Sequence, residues 1–205
     1  MVVGPMFSGK TSWMISHAKS HLLANKRVQL IIPVIGSERY TRKDMASSHD
    51  GLRMCALKVK TLEDATEDAL QNVDTIGIDE GHFFANLASF CDAQAALGRD
   101  VFVAGLKADS DKKGWTSILE LFPVADYHTC LTSTCILCGG EATCSKKIVT
   151  NANSQAEGNG QIDVGADEKY VATCSECWLQ DIPREALEKR TRQVELLKEM
   201  TTESN

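Results

Sequence analysis

The run Gly4-Pro5-Met6-Phe7-Ser8-Gly9-Lys10-Thr11 fits the spacing G-x-x-x-x-G-K-[ST] without mismatch. The chemistry it serves is phosphate binding. Glycines let backbone N–H groups turn inward around phosphate oxygens, and a helix starting there presents its positive end to the same anion. Lys10 can reach β and γ phosphates, and the Thr11 hydroxyl can ligate Mg²⁺. Further along, the apolar Ile76-Gly77-Ile78 ends in Asp79-Glu80. In phosphate-loop proteins an aspartate at such a strand end serves Mg²⁺. Glu80 is then left as a general base. The nucleophile it would activate is either water, giving a nucleoside triphosphatase, or a substrate hydroxyl, giving a kinase. The sequence argues against a guanine-nucleotide switch, because neither Leu106-Lys107-Ala108-Asp109 nor Asn25-Lys26-Arg27-Val28 fits the guanine motif.

The second chemical constellation is made of cysteines. Of eight in the chain, four form the pairs Cys135-Ile136-Leu137-Cys138 and Cys174-Ser175-Glu176-Cys177. Two such knuckles supply four thiolates for a tetrahedral Zn²⁺ with no open position, hence structural rather than catalytic. The stretch between them exceeds the common ribbon spacing. The excess, about residues 145–168, should be a long loop with zinc-anchored ends, placed to act as a lid. Cys130 and Cys144 lack the paired spacing, and Cys55 and Cys91 read as ordinary thiols.

The surrounding sequence supplies elements to hold these groups. Val2 and Val3 read as the tail of a first strand, shorter than usual, as if trimmed relative to the natural chain. A helix follows from Lys10 to about Asn25, then a strand over Arg27–Pro33 and a polar loop over 36–53. Thr61-Leu62-Glu63-Asp64 resembles a capping box opening a helix to about Gln71. Val73–Asp79 and Val101–Leu106 read as buried strands, and Leu87–Leu97 as a helix ended by Gly98. Strands alternating with helices predict an α/β fold with a mainly parallel sheet. Residues 1–130 form this nucleotide-binding part and 131–182 a small zinc-binding part carrying the lid. Residues 183–205 make a charged helical tail with Pro183 at its first turn, either mostly solvated or partner-binding.

The 205 residues carry 22 Lys and Arg against 28 Asp and Glu, a net charge of −6. That balance argues against a nucleic-acid or membrane-surface binder, so an anionic substrate must be held locally. No run is long enough for a membrane helix and no secretory signal stands at the start, so the expected location is the cytoplasm.

Together the Gly4–Thr11 loop, Ile78-Asp79-Glu80-Gly81-His82-Phe83-Phe84 and the two knuckles resemble the cytosolic, zinc-containing (type II) thymidine kinases over residues 2–179. The Pro-Met-Phe-Ser insert inside the loop is the most specific part of the resemblance. It implies a RecA-like phosphate-loop sheet flanked by helices, plus a zinc-ribbon-like domain with a long lid, or lasso, loop. The implied activity is transfer of the γ-phosphate of ATP to the 5′-hydroxyl of thymidine or deoxyuridine. The resemblance also implies Mg²⁺ with ATP, structural Zn²⁺, a homotetramer and feedback inhibition by thymidine triphosphate. By it, Glu80 is the base, Lys10, Thr11 and Asp79 serve phosphates and Mg²⁺, and Arg39 sits near the phosphates. Met6, Phe83, Leu106, Trp115 and Tyr170 line the nucleoside pocket, the alternative for Phe83, Leu106 and Trp115 being simple core packing. Ile162, Asp163, Val164 and Gly165 belong to the lid that reads the pyrimidine edge, and Ser145 lies near the base's 5-substituent.

Departures from the family pattern bear on substrate breadth and feedback inhibition. Ser110 stands where an aromatic pocket wall is usual. Lys147 replaces an arginine, giving a point charge in place of a bidentate fork. His82 replaces a common glutamine and reads as a surface or supporting residue rather than a catalyst. The rival readings are a nucleoside-independent phosphate-loop ATPase and a zinc-ribbon binding module with a regulatory nucleotide site.

Overall fold

The computed structural model of the protein describes residues 1–34, 45–47, 52–148 and 169–192. Its centre is a seven-stranded sheet. In chain order the strands are β1 (Val2–Gly4), β2 (Val28–Pro33), β3 (Met45–Ser47), β4 (Arg53–Val59), β5 (Thr75–Ile78), β6 (Asp100–Leu106) and β7 (Thr129–Cys130). They lie in the order β3-β4-β2-β5-β6-β1-β7. Every neighbouring pair is parallel except β3 with β4, which is antiparallel. The helices that accompany the sheet among the described residues are α1 (Lys10–Leu23), α2 (Glu67–Leu70), α3 (Leu87–Ala96) and α4 (Thr116–Leu121). The expected α/β sheet flanked by helices is therefore what forms.

The period of two along each strand sorts the apolar residues onto two faces. Val2, Leu30, Ile32, Phe102 and Ala104 pack with Met14, Ile15 and Ala18 of α1. Val3, Ile31, Val103, Ile76 and Ile78 pack on the other face with Leu87, Ile118 and Leu121 from α3 and α4. A sheet covered on both faces explains why its central strands read as unbroken apolar runs. Gly77 sits between Leu30 of β2 and Phe102 of β6 in register. A Cβ there would come within 2.5 Å of both side chains. Gly77→Ala is expected to destabilise the fold by about 1–3 kcal/mol, read as a lower urea midpoint. An unchanged midpoint would mean that the Leu30 and Phe102 side chains yield.

Three local expectations need correction. The polar stretch 36–53 is not all loop, since Met45–Ser47 is β3, and β4 follows it. In β4 the short run of residues 54–57 is flanked by Arg53 and Lys58, and only Ala56 and Val59 of the strand are buried. The helix expected over 61–71 is two short turns. The Asp64 carboxylate accepts the N–H groups of Lys60 (3.1 Å) and Thr61 (3.0 Å). Thr66 then turns extended, and its hydroxyl accepts the Ala69 N–H to open α2 afresh. The C-terminal helix begins at 184, with Pro183 just before it contributing its carbonyl to Ala186 and Leu187.

Beyond β7 the chain builds two small antiparallel sheets. One pairs β8 (Ser133–Thr134) with β9 (Glu141–Ala142), and the other pairs β10 (Cys144–Lys147) with β11 (Tyr170–Thr173). The Ile148 N–H donates to Lys169 O at 2.8 Å, so the two ends flanking 149–168 are clasped together.

Candidate functional site

The site lies where parallel strands end. After β1 the chain turns at once into the phosphate loop and α1, and after β5 it delivers Asp79 and Glu80. Strand β6 separates β1 from β5 in the sheet, yet the two ends meet. Thr11 Oγ1 donates to Asp79 Oδ2 at 2.9 Å. Lys10 Nζ lies back over the loop, donating to Pro5 O at 2.6 Å and contacting Ser8 Oγ at 3.4 Å. Gly9 has φ 78°, and Phe7 has φ 63° although it carries a side chain. A Cβ on Gly4 would strike Leu131 O at 2.6 Å and Ser8 Oγ at 2.7 Å, so only glycine fits there. Gly9 stands at the N-cap of α1, and no side-chain hydrogen bond caps the helix there.

Asp79 is buried, and its carboxyl is pushed up to about 7, first by that burial and then by the charge of Glu80. Its Oδ1 accepts the Glu80 N–H at 2.9 Å. Glu80 adopts a left-handed backbone, φ 50° and ψ 39°. Strain of this kind persists only where the surroundings dictate it. Its side chain is 18% exposed, and Oε2 lies 3.6 Å from His82 Nδ1. His82 is not a surface residue. It is buried against Phe83 and Trp115, with ring centroids 4.1 and 4.7 Å away. Its Nδ1 accepts the Leu106 N–H at 3.2 Å, which assigns the ring proton to Nε2. Trp115 belongs to the main core, and Phe83 and Leu106 pack against it partly buried.

The remaining expected pocket residues sit on the other side of the phosphate loop. Ser145 is buried on β10, and its Oγ accepts the Met6 N–H at 3.0 Å. Ser133 Oγ donates to Phe7 O at 3.0 Å, and the Phe7 side chain packs on the small core of Cys135, Ala142, Ala172 and Cys177. Tyr170 is partly buried at the start of β11. A cleft of about 210 Å³ opens beside Gly4 and Pro5, between Lys107, Asp109 and Lys112 on one side and Ser145 on the other. At Ser110, where the family's aromatic is missing, the Trp178 indole N–H donates to the backbone carbonyl at 3.2 Å. Lys112 Nζ stands 4.3 Å from the Trp178 ring centroid. Arg39 and Ile162, Asp163, Val164 and Gly165 lie outside the described residues. Sequence reasoning missed the Ser133 and Ser145 links to the loop. A lone serine in a polar stretch carries no pattern that could reveal them.

The four expected zinc ligands converge. The sulfurs of Cys135, Cys138, Cys174 and Cys177 all lie within 4.8 Å of one another, with Cys138 and Cys174 at 3.8 Å. Tetrahedral Zn–S bonds of about 2.3 Å put sulfurs about 3.8 Å apart, so the set fits zinc. Cys135 is drawn down to about 6; burial opposes this, but backbone N–H groups of Cys138, Cys174 and Leu137 favour the thiolate. Cys177 is pushed up to about 12, first by its hydrogen bond with Cys174. Four converging thiols resist ionising together, and a divalent cation removes that resistance.

Among the described residues, no helix is long and apolar enough to cross a membrane. A model of the thymidine kinase family matches residues 1–178. Over 184 residues the chain is 35% identical to Thymidine kinase 1 of Dictyostelium discoideum, covering 88% of this chain and 77% of that one. It is 32% identical over 184 residues to the thymidine kinase of Fowlpox virus, covering 88% and 96%. It is 32% identical over 180 residues to the cytosolic thymidine kinase of Bos taurus, covering 88% and 71%. With a phosphate loop, an acidic strand end and a four-cysteine cluster behind that match, the chain belongs to the thymidine kinase family.

Proposed function

We propose that the protein transfers the γ-phosphate of ATP to the 5′-hydroxyl of thymidine, and of deoxyuridine, giving the 5′-monophosphate for DNA precursor synthesis. The observation that carries this reading is the 2.9 Å contact between Thr11 and Asp79, which sets Glu80 beside the phosphate loop. Main-chain N–H groups at the Gly9 end of the loop and the start of α1 cradle the phosphates, and Lys10 swings from Pro5 O to meet them. Thr11 and Asp79 offer oxygen donors suited to Mg²⁺, which would neutralise charge developing on the transferring phosphoryl group. Glu80 takes the proton of the attacking hydroxyl. Met6, Phe83, Leu106, Trp115, Ser145 and Tyr170 hold the nucleoside, with Ile162–Gly165 as its lid and Arg39 at the phosphates.

Zinc on the four cysteines serves structure, because four thiolates leave no open coordination position. The chain divides its work between a nucleotide-binding part (1–130), a zinc-and-lid part (131–182) and a tail (183–205). It works in the cytoplasm as a homo-oligomer, a tetramer by family resemblance, with thymidine triphosphate as feedback inhibitor. Neither a nucleoside-independent ATPase nor a zinc-ribbon binding module is favoured by the family match.

The test is ADP release from ATP and Mg²⁺, first alone and then with thymidine, deoxyuridine, deoxycytidine, deoxyguanosine or uridine. Turnover is expected with thymidine and deoxyuridine only. ATP hydrolysis indifferent to every nucleoside would overturn the reading.

A further inference from the structure

The phosphate loop is gripped from a direction that the family match does not cover. The match ends at residue 178. The helix of residues 184–192 lies beyond it and shows only a thin contact face of Ala186, Leu187 and Arg190. On that face the Arg190 guanidinium stands 4.2 Å from the centroid of the Phe7 ring. The same guanidinium donates through Nη1 to Tyr170 O at 2.9 Å. One side chain therefore touches the phosphate loop and β11 at once.

Phe7 needs holding. Its φ of 63° lies in the left-handed region, which side-chain-bearing residues adopt reluctantly and which must be imposed from outside. Ser133 fixes its carbonyl, and the small zinc-module core takes part of the ring. Arg190 supplies the third contact, a cation over an aromatic ring.

We propose that Arg190 is a positioning residue for ATP binding. It holds Phe7 in the conformation that keeps the phosphate loop open to ATP and ties that loop to the strand carrying Tyr170. The C-terminal helix thereby forms part of the nucleotide site. This rests on the reading of Gly4–Thr11 as the ATP loop.

The test uses the full chain and compares wild type, Arg190→Ala, Arg190→Lys, Phe7→Leu and the Arg190→Ala/Phe7→Leu double variant. Wild-type turnover dependent on ATP and thymidine checks the underlying reading separately. Arg190→Ala is expected to raise the KM for ATP about tenfold, with kcat within about twofold and the melting temperature nearly unchanged. Arg190→Lys, which keeps a cation but loses the planar fork, should fall between. The double variant should be no worse than the worse single variant, because both remove one contact. A wild-type KM in Arg190→Ala, a fall in melting temperature with no change in KM, or fully additive effects would each overturn the proposal.

Discussion

A Glu80→Gln enzyme is expected to bind ATP and thymidine with unchanged affinity and to transfer phosphate about 10³-fold more slowly. Glutamine keeps the shape of glutamate but cannot accept a proton. The left-handed backbone at residue 80 aims the side chain whichever of the two it carries. The same substitution has a second readout, which separates lost chemistry from lost structure. Burial and then the Glu80 charge raise the Asp79 carboxyl to about 7, well above its ordinary value. A carboxyl raised by folding contributes stability at low pH that is lost as pH climbs from the unfolded value toward the folded one. Removing the Glu80 charge relieves part of that penalty. Without Mg²⁺ at neutral pH, Glu80→Gln should therefore melt no lower than wild type, and higher if the two carboxylates repel as their placement implies. The experiment pairs single-turnover transfer with thermal melts between about pH 4 and 8. Transfer surviving within tenfold would mean that another group takes the proton.

Loss of one zinc ligand, by Cys138→Ser or Cys174→Ser, is expected to weaken nucleoside and ATP binding together, each by at least about tenfold. The reason lies in how little else supports the module. Among the described residues its buried cluster comprises Cys135, Ala142, Ala172 and Cys177, so two of these four are themselves proposed ligands. A unit this small has too little apolar area to fold without a cross-link or a metal. When it loosens, Ser145 releases Met6, Ser133 releases Phe7, and the Phe7 ring loses its seat. The nucleotide site, built from residues far away in sequence, should fail with it. Titration of a fluorescent ATP analogue into zinc-loaded, chelator-stripped and variant protein measures this. Undiminished ATP affinity after zinc loss would show that the phosphate loop stands by itself.

Much of the site is legible in sequence because its chemistry needs fixed residue types at fixed spacing. The Gly4–Thr11 loop, the Asp79-Glu80 strand end and the two cysteine pairs are of this kind. The central strands are legible too, since burial on both faces makes Leu30, Ile31 and Ile32 one apolar run. Legibility fails where a residue's role depends on distant partners. His82 reads as a polar residue after a strand, and only the folding of β6 and α4 around it makes it a buried neighbour of Glu80. Strand β4 hides because its pattern is diluted by Arg53 and Lys58. The break at Thr66 hides because Thr61-Leu62-Glu63-Asp64 signals a helix start correctly but cannot signal how soon that helix stops. Arg190 hides in a charged stretch whose composition matches any solvated helix face.

By the proposed function, the grip on the Gly4–Thr11 loop also sets when in its own synthesis the protein becomes able to bind ATP. Met6 and Ser145 are 139 positions apart, and Phe7 and Ser133 are 126 apart. A ribosome adding about 5–20 residues per second takes between roughly 7 and 30 s to cover that span. Met6 and Phe7 leave the ribosome well before the serines that hold them, so closure of the loop carries the slow kinetics of long-range contacts. Nucleotide can stabilise only chains that have reached that closed conformation. By the proposed function, ATP in the cell would then act only on chains in which Ser133 and Ser145 have reached the loop, favouring these over their precursors.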